Sequence, residues 1–346
     1  MRFVSFETDG DAGRVPHLGV LVSGDADSGE LLDLTVAARA LFESESIGAE
    51  AAARIAAALV PPSLLGMIEG GPRSRDLAEQ AVQSTLERGW ETDALGAHIR
   101  YATEDITHLP AITAPPLLRD FMAFEKHLLN VFPKLGREIP EEWYRRPVYY
   151  KGNPSAIGAH RQDVAIPSYE ECLDFEFEFA AIIGTAGVDI PESEALSHVF
   201  GYTVYDDFSA RVIQSAEMTV GLGPAKGKDF LAAHVLGPVV VTADELGDPY
   251  SLAMTATVNG EQWTDGSTSD MHWRFEQMIA YASRDERVRV GEVFGSGTVG
   301  DGSGTEHGRA LGAGDLVELT VQGIGTLRNR VVAGRGAKET TGESNE

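Results

Sequence analysis

The sequence predicts an α+β protein, mostly β, with a smaller N-terminal α/β accessory domain over residues 1–110 and a larger main domain over residues 117–335. Three observations predict it. Residues 173–184, Leu-Asp-Phe-Glu-Phe-Glu-Phe-Ala-Ala-Ile-Ile-Gly, alternate apolar and acidic side chains and then turn wholly apolar, the pattern of a strand covered on both faces. After Leu117 the chain is a succession of β-rich runs broken by Gly-rich turns. The first stretch instead joins two strand-like runs to an Ala-rich helical region.

Taken in order, residues 2–6 and 18–22 read as strands. Residues 50–60 and 74–88 read as helices separated by Pro61-Pro62, because proline cannot continue a helix. Residues 108–116 carry three prolines and little periodicity, as a linker does. Residues 117–127, Leu-Leu-Arg-Asp-Phe-Met-Ala-Phe-Glu-Lys-His, read as the opening of a helix with Asp120 near its start; Asp120 and His127 then stand two turns apart on one face. Residues 201–207 form a strand ending in Asp206 and Asp207. A helix over residues 208–216 places Arg211 and Gln214 on one side, and a Gly-rich loop follows to Lys228. Residues 235–242, 253–259, 315–322 and 326–332 read as strands, the last two joined as a hairpin across Gly-Ile-Gly. Residues 337–346 are polar and expected to be disordered.

At 346 residues and 43% hydrophobic content the chain can bury an ordinary core. With 53 acidic against 28 basic residues, net −25, it is a poor partner for nucleic acid or an anionic membrane, since both are held by clustered Lys and Arg. The single cysteine, Cys172, excludes an intramolecular disulfide and a cysteine-built metal site, and suits a reducing cytoplasm. Beside the acidic strand it reads as a small buried hydrophobe. The first residues lack the basic-then-apolar pattern of a secretory signal, and no apolar run approaches the ~20 residues that span a bilayer.

Glu176 and Glu178 share one face of the 173–184 strand. Neighbouring carboxylates repel and are costly to desolvate unless a positive charge sits between them, and a hard cation such as Mg²⁺ or Ca²⁺ takes oxygen ligands. The alternative is an amphipathic edge strand whose two glutamates are solvated. Gly295-Ser-Gly-Thr-Val-Gly300 matches the dinucleotide fingerprint by letter, but the Asp-Gly-Ser-Gly-Thr-Glu-His-Gly that follows predicts no helix, so that reading is rejected. Residues 223–229 fail as a phosphate loop on spacing, and no serine-hydrolase elbow or zinc-protease helix occurs. The remaining acids, one histidine and a small group of donors suit a metal-assisted active site.

Asp120-Phe-x5-His127, Asp174-Phe-Glu176-Phe-Glu178, Asp207-Phe-Ser-Ala-Arg211-x-x-Gln214, Gly227-Lys228-x-Phe and Gly295-Ser-Gly-Thr298-Val-Gly together resemble, in order and spacing, the fumarylacetoacetate hydrolase family. The resemblance implies a β-roll catalytic domain, a homodimer, and a Mg²⁺, Ca²⁺ or Mn²⁺ bound by Glu176, Glu178, Asp207 and Asp120. It implies His127 as general base, Arg211, Gln214 and Lys228 at the substrate oxyanion, and Tyr150 and Thr298 as substrate contacts. Glu306 is the nearest match to the family's catalytic glutamate. Met122 and Lys151 stand where the tyrosine-degradation enzyme has Tyr and His. The implied activity is metal-dependent hydrolysis of a C–C bond in a β-diketo acid, an acylpyruvate or fumarylacetoacetate-like substrate, through an enolate. The alternative is oxaloacetate decarboxylation, tautomerisation, hydration or isomerisation at the same cation–enolate site.

Overall fold

The alternation around Phe177 sorts side chains into two cores. Phe175, Phe177, Phe179, Ala181 and Ile183 enter one, while Ala180 and Ile182 enter the other, so the Phe177–Ile183 strand is buried on both faces. The protein was analysed as a computed structural model describing residues 1–10 and 13–334; the tail expected over residues 337–346 lies outside the described residues.

That strand lies inside a twelve-stranded sheet. The main path runs Arg100–Ala102, Gly29–Asp33, Gly13–Gly24, Arg2–Gly10, His234–Thr242, Val199–Asp207, Phe177–Ile183, Val293–Gly295, Leu118–Phe121 and Tyr149–Gly152. Arg2 pairs with Val241 and Phe3 with Val240, so the first residues of the chain share a sheet with the later strands. Helices Leu34–Ser44, Ala49–Leu59, Leu64–Glu69 and Gly71–Arg88 cover the second core with Val36, Ala56, Met67 and Ala78. Asp33 opens the first of them by accepting from Val36 N at 2.9 Å, a side-chain N-cap. A five-stranded sheet, Glu261–Ser267, Ala253–Val258, Leu316–Val321, Gly325–Val332 and Val164–Ala165, faces the first core through Met254, Leu319 and Val331. Gly323 (φ +80°) and Gly325 (φ +135°) make its expected hairpin turn. No described helix is long and apolar enough to cross a membrane.

Five local readings change. The 117–127 segment is a strand, Leu118–Phe121, followed by a helix from Glu125 to Val131, so Asp120 and His127 share no helical face. The cause is long-range pairing: Leu118–Phe121 is flanked by Val293–Gly295 and Tyr149–Gly152, and the fully buried Arg119 is satisfied by Glu292 (2.9 Å), Glu286 (2.7 Å) and Tyr149 Oη (2.7 Å). The proline-rich 108–116 segment is packed, with Ala111 and Ile112 buried and Ala111 N bonded to Leu236 O. Cys172 is half-buried, and its N–H donates to the Glu170 carboxylate. A one-turn helix, Gly304–His307, forms where none was expected; Ser303 and Glu306 build a capping box for it. The helix read over residues 208–216 begins at Arg211, after the short Ser209–Ala210 strand.

Candidate active site

Sheet register assembles the site. Glu178 is opposite Tyr205, two residues before Asp207, while Ala180 is opposite Gly295, which is opposite Asp120. Asp120, Glu178 and Asp207, all buried, thus offer carboxylate oxygens within 4.8 Å of one another. Gly295 leaves the room for this. A Cβ there would stand 2.7 Å from Asp120 Oδ1 and 2.9 Å from Glu178 Oε2. Gly297 (φ +77°) continues the turn and donates its N–H to Glu178 Oε2 at 2.9 Å; a Cβ on it would collide with Phe121 O.

Three carboxylates cannot all stay ionised in so small a buried volume. Burial and the Asp207 charge push Asp120 well above the usual carboxylate range, and burial and Asp120 do the same to Glu178. Burial also opposes ionisation of Asp207, but Lys228 and His234 outweigh it and hold Asp207 low. Asp120 Oδ1 is buried without a hydrogen-bond partner. An all-oxygen donor set, an orphaned oxygen and the gap over Gly295 fit a hard divalent cation.

Glu176 lies just before the strand and outside this group of three. Its Oε1 accepts from Arg211 Nη1 (2.7 Å) and its Oε2 from Lys228 Nζ (2.6 Å). Burial alone would raise its pKa, but Arg211 and Lys228 bring it down to about 2. Lys228 Nζ also reaches Asp207 Oδ2 (2.5 Å), Asp207 O (3.0 Å) and Ser209 Oγ (2.6 Å), so it links Glu176 to the cluster. Arg211 is clamped by Asp174 Oδ2 from Nη2 (2.7 Å) and Nε (2.9 Å), and donates to Gln214 Oε1 at 3.1 Å. Tyr150 Oη donates to Asp207 Oδ2 at 2.6 Å. Thr298 is buried in the turn after Gly297. Met122 is exposed, and Lys151 is turned to Glu286 at 3.5 Å.

His127 and Glu306 form a second group. His127 Nδ1 lies 3.0 Å from Glu306 Oε2, and His127 is among the charges that lower Glu176. Asn130 Nδ2 (2.9 Å), Asp301 N (2.8 Å) and Ser303 N (3.1 Å) all donate to the Glu306 carboxylate. Burial works against its ionisation, but His127 and Asn130 keep its pKa below the ordinary value.

The sequence reading missed three contributors. Asp174, inside a quoted motif but given no role, accepts from Gly304 N (2.6 Å) and Thr305 N (3.0 Å) besides Arg211. Asn130, one helical turn after His127, was detectable from that spacing. His234, a lone histidine opening an apolar strand, is fully buried against Asp207.

Fold and site define a protein with an oxygen-ligand cluster and a histidine–carboxylate pair at one end of a large mixed sheet. Residues 117–332 match the family model described as fumarylacetoacetate (FAA) hydrolase C-terminal, and the chain belongs to the fumarylacetoacetate hydrolase family. It is 29% identical over 315 residues to the oxaloacetate tautomerase YisK of Bacillus subtilis, covering 88% of this chain and 94% of that one. Among solved structures, a fumarylacetoacetate hydrolase from Exiguobacterium antarcticum is 25% identical with a TM-score of 0.66, over 96% of this chain and 99% of the other. A maleylpyruvate hydrolase from Sphingobium sp. SYK-6, in complex with manganese(II) and pyruvate, shares the fold at 21% identity and TM-score 0.67, over 97% of this chain and 100% of that one.

Proposed function

We propose that this enzyme hydrolyses a C–C bond in an acylpyruvate-type β-diketo acid with the help of a divalent cation. The observation that carries the reading is the His127–Glu306 pair at 3.0 Å, whose histidine acts on Glu176, itself joined through Lys228 to the buried Asp120, Glu178 and Asp207 carboxylates. Those three would hold the cation, with Glu176, joined to Asp207 through Lys228, as a fourth donor. A bound Mg²⁺, Mn²⁺ or Ca²⁺ supplies Lewis acidity to the substrate keto oxygen and to the enolate charge that develops there.

Glu306 holds His127 through Nδ1, which leaves Nε2 to take a proton from water. The water oxygen adds to the distal carbonyl carbon. Gln214, whose Oε1 is engaged by Arg211, keeps its amide protons for the resulting oxyanion. Arg211 orients it, while Lys228 balances the surrounding carboxylate charge. The C–C bond then breaks, the acyl carbon departs as a carboxylic acid, and the enolate carbon recovers its proton from the His127 imidazolium. Tyr150 and Thr298 contact the substrate in this reading. A homodimer accords with the exposed apolar side chains Val212, Met218, Val220 and Leu222 on the segment after Arg211.

The match to oxaloacetate tautomerase over 88% of the chain favours one second reading, in which the same base moves a proton between carbon and oxygen with no bond cleaved. Incubating acylpyruvates and oxaloacetate with the cation-loaded protein separates the two. Pyruvate plus a second acid is expected. Enol–keto interconversion of oxaloacetate, with every acylpyruvate intact, would replace hydrolysis by tautomerisation.

A further inference from the structure

We propose that His234 is a positioning residue for the cation site, fixing which oxygen of Asp207 faces the cation. The inference rests on the cation reading above. His234 opens the His234–Thr242 strand and is the register partner of Asp207, so backbone pairing sets the two side chains next to each other. Its ring is fully buried, with Nδ1 2.9 Å from Asp207 Oδ1 and 2.8 Å from Tyr205 Oη.

On the far side of the ring, Asn153 N donates to Nε2 at 3.4 Å. An imidazole accepting at Nε2 carries its proton on Nδ1, where Asp207 Oδ1 and Tyr205 Oη lie. Asp207 is therefore held differently at its two oxygens. Oδ2 takes Tyr150 Oη and Lys228 Nζ, which use the two lone-pair directions of a carboxylate oxygen. Oδ1 lies 2.9 Å from His234 Nδ1 without completing a hydrogen bond, and keeps a lone pair for a cation. Rotation of the carboxylate would exchange these roles and point the saturated oxygen at the cluster. The buried imidazole wedged between Asp207, Tyr205 and Asn153 opposes that rotation, and Gly152, whose Cβ would stand 3.2 Å from His234 Cε1, leaves room for the ring.

Groups that orient a metal ligand from behind typically contribute 10–100-fold to metal affinity. The test is Mn²⁺ affinity of the cation-stripped protein, read as free Mn²⁺ by electron paramagnetic resonance, with folding checked by circular dichroism. His234→Leu is expected to bind Mn²⁺ roughly 10–100-fold more weakly than wild type. His234→Asn, whose amide can occupy the Nδ1 position, should stay within about threefold, and His234→Gln should bind at least about tenfold more weakly. The Asn and Gln pair decides the matter if the leucine variant does not fold. Equal affinity in wild type and a folded His234→Leu, or in the Asn and Gln variants, overturns the inference alone. A wild-type protein that binds no Mn²⁺ removes the cation reading and this inference with it.

Discussion

Asp120 and Gly295 are register partners on adjacent parallel strands, and the side chain that Gly295 lacks is the space in which the Asp120 and Glu178 carboxylates approach each other. Gly295 thus serves the site rather than a turn. Gly295→Ala places a methyl group 2.7 Å from Asp120 Oδ1, 2.8 Å from Tyr205 Cε1 and 2.9 Å from Glu178 Oε2. Displacing two ligands of a small oxygen site should weaken divalent-cation binding at least ~10-fold, on the scale of disturbing ligand orientation. Titration calorimetry with Mn²⁺ checks this, and unchanged affinity would place the cation elsewhere.

His127→Ala should lower kcat by ~10²–10⁴ and leave Mn²⁺ affinity near wild type, because a general base acts in the transition state and is no ligand. Glu306→Gln keeps the shape but removes the charge beside Nδ1, so it should lower kcat in the same direction with little change in KM. Loss of cation binding in His127→Ala would move His127 into the ligand set.

Two further buried histidines lie outside the Asp120, Glu178 and Asp207 group. His108 and His160 pack edge to face at 4.7 Å between ring centroids. Burial, with the neighbouring His160, pushes His108 down to about 3, and burial, with Arg161, does the same to His160. Below the ordinary value of 6.5 the unfolded chain binds protons that the folded protein refuses until about pH 3. Stability should therefore fall as pH drops from about 6.5 towards 3. Urea denaturation at pH 7 and pH 5 measures the slope. His108→Leu should flatten it, and an unchanged slope would show that this pair does not govern the acid response.

Legibility in the sequence followed the range of the interactions. The Phe/Glu alternation placed Glu176 and Glu178 because side-chain alternation is local, and the Gly-Ile-Gly hairpin was readable for the same reason. Asp120 was assigned to a helix because the strand around it is defined only by partners at Gly295 and Tyr150, far along the chain. Nothing local marks Arg119 as buried, since Glu286 and Glu292 supply its charge partners from more than 160 residues away. Glu306 was legible only as the nearest glutamate after the Gly-rich loop, in a segment without a secure match; its approach to His127 depends on the one-turn helix that the Gly-rich sequence concealed. His234 carries no motif, and its place opposite Asp207 appears only with the sheet register.

Hydrolysis at a carbonyl carbon leaves an isotopic record that proton transfer does not. The most direct test is turnover of an acylpyruvate by the Mg²⁺-loaded protein in H₂¹⁸O, with both products examined by mass spectrometry. Water activated by His127 predicts one solvent oxygen in the carboxylate of the released acyl product, formed together with pyruvate. Loss of the enol absorbance with the substrate's carbon skeleton intact, or release of CO₂ without a second acid, would contradict it.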